Sequence, residues 1–359
     1  MCGVCLVLMV PGPRKPSDVY AVAIAKYVAG DSDAAVQALS RVSPADMRSE
    51  IERSVTAIQS NGGSDAADRR LEVIALLHTE YALSGHVDPK NAPTQIEMAH
   101  RSLTIWTQTL EGKIPDARPD QAQRAREFLR RWSPLAAGVL LFYSADRDAR
   151  TIVDQALTFL PDDESLLYWR GFVREFQAVW VGVSAVNPQA ASARVGVPGS
   201  DPSSSMPTWG PVEEAYRRAL QRDQSDYQTH LHLGYALYSQ GRDGPAATEY
   251  ELARDQSSDP FVVYVADLLL ARMKEDQNDP AGAAQDYEHA LAKMPNAQSA
   301  YVGLSLLEAR RGNSQRASEL TLRLAAIPEE QRSRDPWWAF HTSRVPIDDL
   351  HWLRAAVRQ

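Results

Sequence analysis

The side chains best suited to chemistry are few and scattered. Cys2 and Cys5 stand as C-x-x-C, the spacing of a redox pair or of half a zinc site, but they are the chain's two cysteines and no second pair follows. His230 and His232 stand two apart in a stretch of helical period, where such neighbours point to different faces and do not share a metal ion. His78, His100 and His289 occur singly in amphipathic stretches, which suits packing or surface positions. No H-E-x-x-H, P-loop, dinucleotide fingerprint or G-x-S-x-G elbow occurs in the sequence. The expectation is a non-enzymatic protein with no catalytic residue, no metal and no cofactor.

Whatever such a chain does, it does with a surface, and helices must build that surface. At 359 residues and 44% hydrophobic content it is long and apolar enough for two domains or one extended array. No run alternates apolar with polar over a strand's length, so the whole chain reads as helical. A net charge of −8 argues against a general nucleic-acid or anionic-membrane binder. The basic run Arg124 to Arg131 is expected on a solvated helix face.

The organising stretch is Tyr227 to Pro260, which reads as two short amphipathic helices joined at Gly241. Leu231, Leu233, Gly234 and Leu237 share one side of the first, and Ala246, Tyr250 and Ala253 share one side of the second. Gly234 and Ala246 are small where two helix axes cross closely. Tyr264 to Ala297 repeats the pattern with Leu270, Ala271, Ala283, Tyr287, Ala290 and Pro295, Asn278 replacing the turn glycine. Gln298 to Gln331 carries Tyr301, Leu304, Ser305, Gly312 and Ala317, with Thr321 and Leu324 in place of the aromatic and the second alanine.

These residues, at this spacing and in tandem, resemble the tetratricopeptide repeat family. The resemblance implies an all-α, right-handed α-α superhelix, a TPR-like solenoid, with degenerate helices at its N-terminal end and a capping helix at its C-terminal end. In that family the first helices of successive repeats line a groove that binds peptides. Carried over here, the groove positions are Leu231, Tyr235, Tyr238, Leu268, Arg272, Val302, Leu306 and Arg310. An apolar and aromatic groove with arginines suits a peptide or partner helix from another protein. Leu231 and Tyr235 stand where the lysine and asparagine clamp for chaperone tails begins, so that ligand is not implied.

Four segments are expected. Residues 1–16 form an apolar, Pro-rich leader, a possible remnant of an export signal that tilts the reading toward an exported protein; it is too short for the ~20 apolar residues of a membrane span. Residues 17–112 are degenerate helical repeats in which Gly30, Ala35 and Leu39 keep repeat spacing, with helices at 45–59, 66–84 and 93–110. Residues 121–331 are the solenoid, with Pro134 kinking or restarting a helix, Gly171 at a crossing and a Pro/Ser/Gly-rich loop inserted at 183–210. In 332–359, Trp337, Trp338 and Phe340 precede a last helix with Leu350, Leu353 and Val357 on one face, and the tryptophans are expected to seal the last repeat. Two further readings stand beside the scaffold: a structural component of an envelope or secretion assembly, and an enzyme using Cys2. Cys2-Gly3 resembles the start of the amidotransferases with an N-terminal cysteine nucleophile, although nothing downstream reads as the layered sheets these enzymes use.

Overall fold

The structure is a computed structural model that describes residues 16–61, 65–114, 119–186, 208–332, 334–341 and 346–358. Every regular element among them is helical. The leader with Cys2 and Cys5, and most of the 183–210 insert, lie outside the described residues. No helix is long and apolar enough to cross a membrane, among the described residues. The chain divides into two compact units, residues 1–132 with 347–359 and residues 133–346.

The first unit begins with a helical hairpin, α1 (Pro16–Val28) and α2 (Ser32–Leu39). Gly30 turns between them at φ +96°, a conformation open to glycine, and Asp31 caps α2 by accepting from the Ala34 amide. α3 (Pro44–Asn61) and α4 (Asp65–Leu83) follow, then α5 (Ala92–Ser102) and α6 (Thr104–Leu110). The helix expected over 93–110 is broken at Leu103, next to Ser102, whose hydroxyl donates to the Ala99 carbonyl one turn back at 2.7 Å and reaches the Leu71 carbonyl of α4 at 3.2 Å. α4 is the axis of the unit and packs on α1, α2, α3 and α5. The expected stripe of Leu71, Ile74, Leu77, His78 and Tyr81 is buried, and so are its polar neighbours Asp68, Glu72, Thr79 and Glu80. Each of these has a partner: Gln121 for Asp68, Arg124 for Glu72, the Trp132 indole for Thr79 and the Tyr27 hydroxyl for Glu80. Arg124 and Arg131 are thus not a free basic face, since Arg131 pairs with Glu127 and Asp349.

α7 (Pro119–Phe142) runs without interruption through Pro134, where the sequence suggested a kink or restart. A proline removes one intrahelical donor, and the buried apolar run Leu135 to Leu141 outweighs that loss. Beyond it come α8 (Asp146–Phe159), α9 (Glu164–Val186), α10 (Gly210–Arg222), α11 (Tyr227–Tyr238), α12 (Asp243–Gln256), α13 (Pro260–Asp276), α14 (Pro280–Lys293), α15 (Gln298–Arg310) and α16 (Ser314–Ala326). Adjacent helices pair as α9 with α10, α11 with α12, α13 with α14 and α15 with α16, and each pair also packs on the next. α10 is therefore the partner of α9 across the insert. The pairs close on small residues. A methyl group on Gly171 would lie 2.5 Å from the Tyr216 ring, and one on Gly234 would lie 2.5 Å from the Tyr250 ring. Ala246, Ala253, Ala283 and Ala290 are fully buried at the matching crossings. In the α13–α14 pair, Ala271 occupies the small-residue position, and the Tyr287 ring lies instead over Gly303 of α15. The turns keep a left-handed residue at Gly241, Asn278 and Gly312, so Asn278 does replace the glycine, with φ +59°.

Two short helices follow, α17 (Glu329–Arg332) and α18 (Pro336–His341), then α19 (Ile347–Arg358). α19 is a cap, but the surface it covers is α4 of the first unit and not the last hairpin. Arg354 reaches Glu80 with two hydrogen bonds, 2.7 and 2.5 Å, and Leu353 and Val357 are buried. The last hairpin keeps Leu322 of α16 72% exposed. α18 packs on α13, among the first helices, and Trp337 and Trp338 line a cavity together with α15, the first helix of that hairpin.

Candidate functional site

The second unit presents its first helices α11, α13 and α15 along one side, because each hairpin repeats the same crossing and so returns its first helix to the same face. On this side a cavity of about 530 Å³ opens between α13, α15 and α18. Of the eight groove positions read from the sequence, five line it: Leu268 and Arg272 from α13, and Val302, Leu306 and Arg310 from α15. Spacing of three and four residues puts each set on one helix face. Leu268 is nearly buried and forms floor, whereas Val302 at 40% and Leu306 at 58% exposure form wall. The other three do not line it. Leu231 has no exposure and belongs to the core between hairpins, since a leucine one turn from the crossing glycine faces the neighbouring rod. Tyr235 is half-buried against Phe340 and His341, and Tyr238 is half-buried with its hydroxyl donating to Asp276, a residue of the cavity rim.

The charges of the cavity are mostly satisfied from within it. Glu275 accepts from the Tyr287 hydroxyl at 2.6 Å and pairs with Arg310 across to α15. Burial first, then the Glu275 carboxylate, pushes the Tyr287 hydroxyl well above the ordinary phenol range. Burial and the bond to Asp276 push Tyr238 up to about 12. Both phenols therefore stay protonated donors at neutral pH. Arg272 is different: it is exposed on the cavity wall and its guanidinium makes no hydrogen bond or ion pair among the described residues. The site thus offers one free planar cation among exposed apolar side chains.

Sequence reasoning missed Glu275 and Asp276, which share the α13 face with Arg272, and it favoured Trp338 as a seal on the last repeat over a binding residue, whereas Trp338 stands 52% exposed among the residues that line the cavity. Periodicity signals the first two, at three and four residues from Arg272. Nothing in the repeat pattern signals the tryptophan, because α18 is not part of a hairpin. The two histidines of the H-x-H pair diverge as the helix geometry requires. His230 meets Glu249 at 2.6 Å, while His232 faces Glu175 at 3.1 Å and stacks on Phe340 at 4.4 Å between centroids. No group of three metal-ligating side chains occurs among the described residues.

Neither a protein-family model nor a curated protein matches the chain. Among solved structures, that of yeast Tom70 is 10% identical over 90% of this chain and 60% of its own, with a TM-score of 0.41, so the chain spans less than two thirds of that relative. Human IFIT1, solved as a dimer with m7Gppp-AAAA, is 13% identical over 87% of this chain and 73% of its own, at 0.39. A tetratricopeptide repeat protein from Parabacteroides merdae is 14% identical over 81% and 99%, at 0.29. The fold stands on the chain's own hairpins: four successive helix pairs, two of them closed by a glycine against a tyrosine ring and three of them turned at a left-handed residue, make this a tetratricopeptide-like helical repeat.

Proposed function

We propose that the chain is a non-enzymatic interaction scaffold whose first-helix groove captures a segment of a partner protein, one that carries an apolar side chain beside a carboxylate. One juxtaposition supports this reading: Val302, Leu306 and Trp338 stand exposed around Arg272, which has no hydrogen-bond or ion-pair partner among the described residues. Apolar side chains held in water favour being covered, at roughly 25 cal/mol per Å² of area buried. An unpaired guanidinium selects a carboxylate through two parallel N–H···O bonds. The pair of requirements is met by a peptide more readily than by a small metabolite, because the apolar wall and the cation lie on different helices.

The test is selection of peptides from a random displayed library on the immobilised full chain. Selected peptides are expected to share an acidic residue and a large apolar one. They should lose roughly tenfold or more in affinity for Arg272→Ala and for Leu306→Asp, with helicity of both variants unchanged. Peptides that bind the two variants as tightly as the parent, or a library that yields none, would remove the groove from consideration.

A further inference from the structure

The chain places a piece of itself in the same groove. Asp335 and α18 lie across α11, α13 and α15, held by two anchors five residues apart. At one anchor the Asp335 carboxylate, 2% exposed, sits at the N-terminus of the thirteen-residue α15. There its Oδ2 accepts from the Ser299 amide at 2.7 Å and from the Tyr264 hydroxyl at 3.3 Å. A helix N-terminus directs unpaired amides at an anion, and the hydroxyl of α13 completes the pocket. The other carboxylate oxygen accepts from the Trp337 amide at 2.9 Å and so starts the helical turn of α18. At the second anchor Phe340, 1% exposed, stacks on His232 of α11 and meets Tyr235 edge-on at 6.0 Å. Trp337 fills the space between the anchors, stacked on Phe340 and edge-on to His341.

This arrangement has the form of a ligand in a receptor. The receiving groups come from the first helices of three successive hairpins, and the received groups come from one continuous stretch of seven residues. The Asp335 carboxylate reaches Tyr264 over 71 residues of chain. The helix pairs themselves close on Gly171, Gly234, Ala246 and Ala283 and do not draw on α18 for their crossings.

We infer that Asp335–His341 is a ligand held in cis, and that the site it fills is a peptide-binding site for a short helical segment with a carboxylate and, five residues later, an aromatic ring. The external partner that fits is a protein bearing such a segment, which takes the place of the chain's own. The premise that the first-helix groove takes peptides is shared with the preceding reading, and the two sites adjoin, since Ser299 and Trp338 also line the open cavity; the receiving groups are Tyr264, Ser299, His232 and Tyr235 here, and Arg272, Val302 and Leu306 there. A tethered segment competes at an effective concentration on the order of millimolar, so the parent chain resists a free copy of it and a chain with the anchor removed accepts one.

The experiment is a fluorescence-anisotropy titration of a labelled peptide copying residues 334–341, RDPWWAFH, into the full-length parent and into Phe340→Ala. The variant is expected to bind the peptide saturably, roughly tenfold or more tighter than the parent does, and a peptide with the Asp335→Asn change is expected to lose about as much. Phe340→Leu, which keeps most of the volume, carries the same comparison if Phe340→Ala does not fold. A folded variant that does not bind the peptide overturns the inference, as does loss of helicity in both variants, which would make the segment part of the core. The parent chain, in which Asp335–His341 stays seated, separates the two readings: peptides selected on the open cavity are expected to bind the parent, whereas this peptide is expected to need Phe340→Ala.

Discussion

At the scale of single residues, the hairpins are distinguished by what their buried tyrosines do with a hydroxyl. Tyr216 donates to Glu175 at 2.7 Å and Tyr287 donates to Glu275 at 2.6 Å. In both cases the carboxylate stands four residues after the small crossing residue, Gly171 or Ala271. In the middle hairpin that position is Tyr238, which turns outward to Asp276, and the Tyr250 hydroxyl is buried with no hydrogen-bond partner among the described residues. A buried hydroxyl without a partner costs free energy, whereas one bonded to a buried carboxylate contributes about 1–2 kcal/mol. Tyr250→Phe should therefore be neutral or stabilising by up to about 1 kcal/mol. Tyr216→Phe should cost about 1–2 kcal/mol, because Glu175, 3% exposed, loses a donor. Urea midpoints of the two variants, measured side by side, check this; equal losses would mean that Tyr250 has found a partner in solution.

At the scale of elements, the sequence was legible wherever a residue's partner lies one helix away. Leu233, Gly234, Ala246, Tyr250 and Ala253 announce α11 and α12 because the crossing they make is local and recurs. The α19 helix shows the opposite case: its stripe of Leu350, Leu353 and Val357 was legible as a buried face, but the helix that covers it was not. A periodic pattern reports that a face is apolar and carries no record of which surface meets it. The residues that decide the matter are Arg354 and Glu80, 274 positions apart. The same reason hid the placement of Trp337 and Trp338, whereas five of the eight groove positions line the cavity because the repeat itself assigns them. Arg354→Ala leaves the Glu80 carboxylate, 7% exposed, with the Tyr27 hydroxyl alone. Removing one partner of such a pair is costly because the other charge stays buried. Arg354 is itself partly exposed, which tempers the loss to about 2 kcal/mol, with α19 the first element to be cut in limited proteolysis. A variant as stable and as resistant as the parent would show that the apolar face alone holds α19.

At the scale of the whole molecule, the chain divides into two compact units, and acid acts with opposite sign on two buried groups, one in each. In the first unit His78 of α4 has no exposure; Tyr20 donates to its Nε2 at 2.7 Å and its Nδ1 donates to Gln95 at 2.8 Å. Burial lowers its pKa from 6.5 to about 4. A histidine so depressed contributes stability that is complete above about pH 6.5 and is lost as the pH falls through about 4. In the second unit Asp267 of α13 also has no exposure, with His289 at 2.7 Å and with Asp286 and Arg254 nearby. Burial raises its pKa from 3.8 to about 6, so its contribution is complete below about 3.8 and is lost as the pH rises through about 6. His341 of α18, pushed down to about 4 by burial, shares the sign of His78. Between pH 7 and pH 5, hydrogen exchange corrected for its intrinsic rate should show α4 and α18 losing protection while α13 and α14 gain it. His78→Gln should flatten the response of α4 alone, and Asp267→Asn that of α13 and α14 alone. A uniform response across both units, unchanged by either substitution, would mean that the chain opens as one body and that these two buried groups do not set its dependence on pH.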